Sequence, residues 1–289
     1  MRKAVIDVGT NSTRLLVADY LENEIIPVYS GLEMARIGEG LAKTGIIGAK
    51  PLERTLNCLE KFIDKCREFK VQQIRIAATS AVRDAQNKEE VRKKVKRKTG
   101  LDLEVLTGTE EARLSYLGAI SGVNEDVNNV FVLDIGGGST ELIYTNHLNV
   151  ITYKSINLGA VRLKDDPFLM DEAEKLIDGL YTDLLPENFI LIGVGGTATT
   201  LAAIKLGLEK YDPDLVHGHD LHLTEIKQMY NLLKSMNLLQ RERIKGLQPK
   251  RADIIVYGIF ILLLVMQRLK TEKLKVSERD ILYGMIISS

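Results

Sequence analysis

The apolar residues that open the chain fall in short blocks. Ala4-Val5-Ile6, Leu15-Leu16-Val17-Ala18 and Ile25-Ile26-Pro27-Val28-Tyr29 are separated by Gly, Asn and Ser and by Glu22-Asn23. Such blocks between turn residues predict three antiparallel strands. From Pro51 the period changes. Leu52, Leu56, Leu59, Phe62, Ile63, Cys66 and Phe69 recur at spacings of three and four, the stripe of an amphipathic helix lying on that sheet. Ile74 to Ala78 reads as the next strand, and Asn87 to Lys98 as a charged helix stopped by Gly100. Leu103 to Leu106 is a further strand, followed by a helix from near Thr109.

The pattern then starts over. Val130-Phe131-Val132-Leu133-Asp134 is as apolar as the first strand and leads into a Gly-rich turn. Asp7-Val8-Gly9-Thr10-Asn11-Ser12-Thr13 aligns with Asp134-Ile135-Gly136-Gly137-Gly138-Ser139-Thr140, and Leu15 and Leu142 follow in equivalent positions. An internal repeat with strands on both sides of each copy implies two similar α/β lobes. The length of 289 residues agrees, at roughly 150 per domain. With no Pro- or Ser-rich linker, the division is set near residue 115, as 1–115 and 116–289, the C-terminal helix having a return onto the first lobe as its alternative. A direct helical connection predicts lobes that rock about a cleft.

The turns suggest phosphate chemistry. Gly9 and Gly136 to Gly138 let backbone amides approach an anion, while Thr10, Ser12, Ser139 and Thr140 add hydroxyl donors. Asp7 and Asp134 close their strands where carboxylates can hold Mg²⁺ against phosphate oxygens, directly or through water; the plainer reading is turn-initiating Asp. A third segment, Gly193-Val194-Gly195-Gly196-Thr197, follows the apolar run Phe189 to Ile192 and enters a helix, whose N-terminal amides suit a phosphate.

Composition narrows the partners. Thirty-nine basic residues balance thirty-nine acidic ones, so no global field draws nucleic acid or an anionic membrane, and a polyanion must be held locally. Cys58 and Cys66 lie about 12 Å apart along one helix, too far for a disulfide, and read as small buried residues. The apolar stretch after Met-Arg-Lys is too brief for a signal peptide, so a cytoplasmic location is expected. Ile254 to Met266 falls short of the ~20 residues that span a bilayer and reads as a buried core helix. His217, His219 and His222 suggest either a metal site or structural histidines. Of two basic blocks, Arg92 to Lys98 reads as a solvated helix face. The block Arg241, Arg243, Lys245, Lys250 and Arg251 is the better polyphosphate track, with an Arg251–Asp253 ion pair as the plainer structural use.

The turns resemble those of the actin, sugar-kinase and Hsp70 superfamily, and the full set of segments resembles its exopolyphosphatase and guanosine pentaphosphate phosphatase (Ppx/GppA) family. The segments are Asp7-Val-Gly-Thr-Asn-Ser, Ala78-Thr-Ser-Ala-Val-Arg-Asp84 with Asn87, Thr107-Gly-Thr-Glu-Glu-Ala-Arg113, Asp134-Ile-Gly-Gly-Gly-Ser-Thr-Glu141, Gly195-Gly-Thr-Ala-Thr-Thr-Leu201 and Arg251-Ala-Asp253. The resemblance implies two actin-like (ribonuclease H-like) lobes with an active-site cleft between them. It implies Glu111 as the general base that activates water, and Asp134 and Glu141 around the metal and that water. It also implies Arg83 touching phosphate and Gly136, Gly137, Gly138 and Ser139 cradling it. Thr10, Asn11, Ser12, Gly195, Gly196, Thr197 and Arg251 complete the expected phosphate contacts, with Asp7, Asp134 and Glu141 as expected metal ligands. Without the resemblance, Arg83 reads as a surface residue paired with Asp84. Glu110 and Glu111 then read as first-turn helix acids behind Thr109 as N-cap.

The expected activity is removal of terminal phosphate from inorganic polyphosphate, dependent on Mg²⁺, with K⁺ as a candidate activator and a homodimer as a candidate assembly. Guanosine pentaphosphate (pppGpp) is the alternative substrate. The same phosphate turns also permit a small-molecule kinase or a non-catalytic sensor of polyphosphate or nucleotide. The HD-type helical domains of longer relatives are absent from this sequence.

Overall fold

A computed structural model describes residues 1–22, 24–122, 129–145, 151–180 and 188–289, with backbone alone for Thr145 and Ile151. Asn23 of the second expected turn lies outside these residues. The chain divides into two compact units, Met1–Gly118 with Ile281–Ser289, and Ala119–Asp280. The first unit therefore includes the C-terminal helix Ile281–Ile287.

In the first unit, β1 (Arg2–Val8), β2 (Thr13–Leu21) and β3 (Glu24–Glu33) form an antiparallel meander. β4 (Gln73–Ala78) and β5 (Leu103–Val105) add parallel strands, giving the order β3-β2-β1-β4-β5. Alternation along β1 serves both faces of the sheet. Ala4, Ile6 and Val8 pack with Leu52, Leu59, Phe62 and Ile63 of helix Ala49–Glu68 and with Val91 and Val95 of helix Lys88–Thr99. Val5 turns to the other face, where Leu16, Leu114 and Met285 meet it. Gly100, at φ +77°, ends helix Lys88–Thr99 in the left-handed conformation that glycine adopts without a Cβ clash.

The second unit repeats this core. β6 (Val130–Ile135), β7 (Thr140–Thr145) and β8 (Ile151–Ile156) are antiparallel. β9 (Ile190–Val194) and β11 (Lys273–Val276) run parallel, and β10 (Asp220–His222) adds an antiparallel edge, giving the order β10-β11-β9-β6-β7-β8. Helix Ile255–Leu269 buries Ile255, Ile259, Leu262 and Met266 against Phe131, Leu133 and Leu201. It is a core helix, as its apolar run predicts. No helix among the described residues is long and apolar enough to cross a membrane.

Cys58 and Cys66 are buried and free, and burial pushes their thiols up to about 12 and about 11. They pack as apolar groups.

Candidate active site

The β1–β2 turn is pinned from behind. Gly9 N–H donates to the Ser12 carbonyl at 3.0 Å, and the Thr10 and Asn11 carbonyls accept from Gly38 (3.0 Å) and Arg36 (2.9 Å). The amides of Thr10, Asn11 and Ser12 have no acceptor among the described residues. Successive amides left over in one turn form a concavity for anions. Asn11 Nδ2 donates to Met34 Sδ at 3.5 Å, and Thr10 Oγ1 bonds Ser80 Oγ at 3.0 Å. Asp7, 4% exposed, faces Arg14 across the hairpin and accepts from its Nε (3.1 Å) and Nη2 (2.7 Å). Sequence reading missed Arg14, although the repeat aligns it with Glu141.

β4 ends at Ala78 beside Val8 and leads into the short helix Ser80–Asp84, which carries Arg83. Arg83 Nη1 donates to Glu111 Oε2 at 2.6 Å and to the Leu106 carbonyl at 3.2 Å. Asp84, its expected partner as a surface residue, lies farther away, at 3.8 Å from Nε.

The helix bearing Glu111, Gly108–Ile120, is capped by Thr107 and not by Thr109. Thr107 N–H and Oγ1 both donate to Glu110, and Glu110 N–H donates back to Thr107 Oγ1. The reason lies in the spacing: Thr107-x-x-Glu110 is a capping box. The Thr107 backbone N–H, then its hydroxyl, hold the Glu110 carboxyl below its ordinary value. Glu110 is thus committed to the helix end. Glu111, one residue on and 7% exposed, is held by Arg83.

The β6–β7 turn has the same construction. Gly136 N–H donates to the Ser139 carbonyl at 3.0 Å, and the amides of Gly137, Gly138 and Ser139 have no acceptor among the described residues. Here the start of helix Ala160–Asp165 holds the carbonyls. Gly136 accepts from Ala160 at 2.9 Å and Gly137 from Val161 at 2.8 Å, while Gly138 accepts from Arg162 Nε at 2.8 Å. Approach is that close because Gly159 has no side chain; a Cβ there would lie 2.6 Å from the Gly138 backbone. Thr140 is not a loop donor, since its hydroxyl bonds the Leu158 carbonyl at 2.5 Å.

Asp134 and Glu141 are register partners, so two carboxylates stand on one face of the β6–β7 pair. Glu141 is 1% exposed and accepts from Ser155 Oγ at 2.8 Å, its own register partner on β8. Beside them, helix Gly195–Lys205 begins at Gly195, at φ +74°. A Cβ on Gly195 would fall 2.6 Å from Asp134 Oδ1, and one on Gly196 only 1.7 Å from Arg251 Nη1. Both glycines make room for these side chains. Thr197 Oγ1 reaches the Ile135 carbonyl at 3.5 Å. Asp253, the expected structural partner of Arg251, accepts from Lys164 at 2.6 Å. The donor set fits Mg²⁺, a hard ion that is held by one or two carboxylates and completes its shell with waters and phosphate oxygens. No group of three His, Cys, Asp or Glu gathers among the described residues.

The expected site residues therefore assemble separately within each unit. The first holds Asp7, Thr10, Asn11, Ser12, Arg83 and Glu111; the second holds Asp134, Gly136 to Ser139, Glu141, Gly195, Gly196, Thr197 and Arg251. His217 and His222 take part in structural hydrogen bonds. His217 Nδ1 accepts from Glu278 N–H at 3.3 Å, with burial and then the Arg279 charge pushing its pKa down. Burial, then Lys205, lowers that of His219, and His222 heads the capping box of helix Leu223–Ser235. Within the second basic block the partners differ. Arg241 Nε bonds the Leu233 carbonyl at 2.6 Å and Lys245 pairs with Glu209 at 2.7 Å, while Arg251 lies beside Gly196. The first block is a paired surface: Arg92 meets Glu89, Lys94 meets Glu90 and Lys98 meets Glu60.

Comparison with known proteins places this geometry. Exopolyphosphatase 2 of Mycobacterium tuberculosis is 31% identical over 99% of this chain and 98% of its own length. A bifunctional 3-dehydroquinate synthase/phosphatase of Fusobacterium nucleatum is 35% identical, and there this chain spans 46% of the relative. An Aquifex aeolicus Ppx/GppA structure superposes with a TM-score of 0.81 at 30% identity, covering 100% of this chain and 97% of that one. The mixed α/β fold with two sheets matches the two actin-like lobes of such structures. With residues 16–289 matching the family pattern as well, the chain belongs to the Ppx/GppA phosphatase family.

Proposed function

We propose that this protein removes the terminal phosphate of inorganic polyphosphate by Mg²⁺-assisted attack of water, with Glu111 as general base. The observation that carries the reading is the duplicated turn. Each unit has three successive amides without an acceptor among the described residues, and the second turn adjoins a carboxylate pair suited to a cation. Phosphoryl transfer calls mainly for alignment and charge neutralisation, which amides and guanidinium groups supply. Bound at Asp134 and Glu141, Mg²⁺ would offset charge on the phosphate oxygens. Asp7, already bonded by Arg14, orients that guanidinium. Arg83 fixes the Glu111 carboxylate in place to accept a proton from water, and Arg251 supplies charge beside Gly196.

The exopolyphosphatase relative that aligns along nearly its whole length supports polyphosphate as substrate. A guanosine-5'-triphosphate,3'-diphosphate pyrophosphatase of Pseudoalteromonas atlantica, 26% identical over 98% of this chain, supports pppGpp as the second reading. Orthophosphate release from polyphosphate and from pppGpp, each with and without Mg²⁺, separates them. Faster nucleotide cleavage would reverse the order. Glu111→Gln is expected to lower turnover about 10²- to 10⁴-fold while binding is kept; an unchanged rate removes Glu111 as base.

A further inference from the structure

We infer that Ser80 is a positioning residue for the first phosphate turn, donating its hydroxyl proton to Thr10 so that the Thr10 proton is available to a phosphate oxygen. The inference rests on the phosphate-binding reading above. Thr10 is wedged on two sides. Its methyl group lies where Gly38 has no side chain, a Cβ at Gly38 falling 2.3 Å from Thr10 Cγ2, and its hydroxyl lies 3.0 Å from Ser80 Oγ. A β-branched side chain contacted on both branches has one rotamer open to it. Thr10 is 7% exposed and Ser80 2%.

Counting donors gives the consequence. Two hydroxyls carry two protons, and the bond between them uses one. Neither hydroxyl has another partner among the described residues. One buried O–H is therefore left over, next to three amides at Thr10, Asn11 and Ser12 that likewise have no acceptor among the described residues. A buried donor without an acceptor is costly, and this O–H and the three neighbouring amides can be satisfied together by an anion with several oxygens. Of the two hydroxyls, that of Thr10 belongs to the turn itself. Ser80 lies behind it on helix Ser80–Asp84, the helix that also carries Arg83.

The test is a double-mutant cycle on Ser80→Ala and Thr10→Val, read by kcat/KM for polyphosphate and by the calorimetric Kd for tripolyphosphate. Ser80→Ala is expected to lower kcat/KM and weaken Kd about 3- to 10-fold, the effect of one neutral hydrogen bond. The double variant is expected to lose no more than Thr10→Val alone. Unchanged values in Ser80→Ala, or losses that multiply in the double variant, would overturn the inference. A residue needed for folding alone would shift Tm without this coupling. If Ser80→Ala does not fold, Ser80→Cys, with its weaker donor, takes its place in the cycle. If the wild type binds tripolyphosphate but releases no phosphate from polyphosphate, the proposed reaction fails while the Kd cycle still decides the role of Ser80. If it does not bind tripolyphosphate, both fail.

Discussion

The β1–β2 and β6–β7 hairpins share register, turn closure and three leftover amides, yet differ at one paired position. Asp7 faces Arg14, whereas Asp134 faces Glu141. In the first hairpin the acid is compensated by a guanidinium held at 2.7 Å. In the second, two acids share a face, and Ser155 donates to one of them. A duplicated scaffold thus sets an acid opposite a guanidinium at one hairpin and an acid opposite an acid at the same position of the other.

The comparison can be broken most forcefully by writing one hairpin as the other. Glu141→Arg would give the second hairpin the pairing of the first, and polyphosphate hydrolysis is expected to fall about 10²- to 10³-fold. Steady-state rates across a Mg²⁺ titration check this, and retained activity with unchanged Mg²⁺ dependence would remove the acid pair from the reaction. The converse concerns stability. Asp7→Asn removes the carboxylate that Arg14 bonds at 2.7 Å and is expected to cost about 3 kcal/mol, whereas Asp134→Asn removes one of two carboxylates that share a strand face and is expected to cost less. Urea denaturation of both variants measures the difference, and equal losses would mean the hairpins do not differ in this way.

Smaller effects sharpen the contrast. Ser155→Ala removes a donor to Glu141 and is expected to raise the Mg²⁺ concentration for half-maximal rate about tenfold, with the fold intact by circular dichroism. Glu110→Gln separates the cap from the neighbouring candidate base. It is expected to lower stability by about 1 kcal/mol or less at neutral pH, with kcat unchanged. Because the Glu110 carboxyl is held below its ordinary value in the folded protein, its charge stabilises the fold above that ordinary range. The contribution fades as pH falls below about 4.3 and through the lowered folded value. Thermal melts of wild type and Glu110→Gln at pH 7 and pH 3.5 should therefore converge at the lower pH.

Much of this was legible in sequence because strands and amphipathic helices announce themselves by period. The repeat gave the turns, since glycine and hydroxyl residues in register leave few backbone conformations open. Thr107-x-x-Glu110 was also readable, although a threonine nearer the carboxylates draws attention first. Ser155 carries no local signal, and Ser80, although inside the Ala78–Asp84 segment, carries none that points to Thr10. Each matters through a neighbour far along the chain, Ser155 through strand register with Glu141 and Ser80 through a contact with Thr10 across 70 positions.

By itself the sequence determined the strand and helix periods, the duplicated turns and the types of group available for phosphate chemistry, because these depend on local backbone preference and on residue identity. Only the tertiary structure decided which acid faces a guanidinium and which faces another acid, that Arg83 holds Glu111, and that Gly195 and Gly196 admit Asp134 and Arg251. Those outcomes depend on register and on approach within a few ångströms, which long-range packing sets.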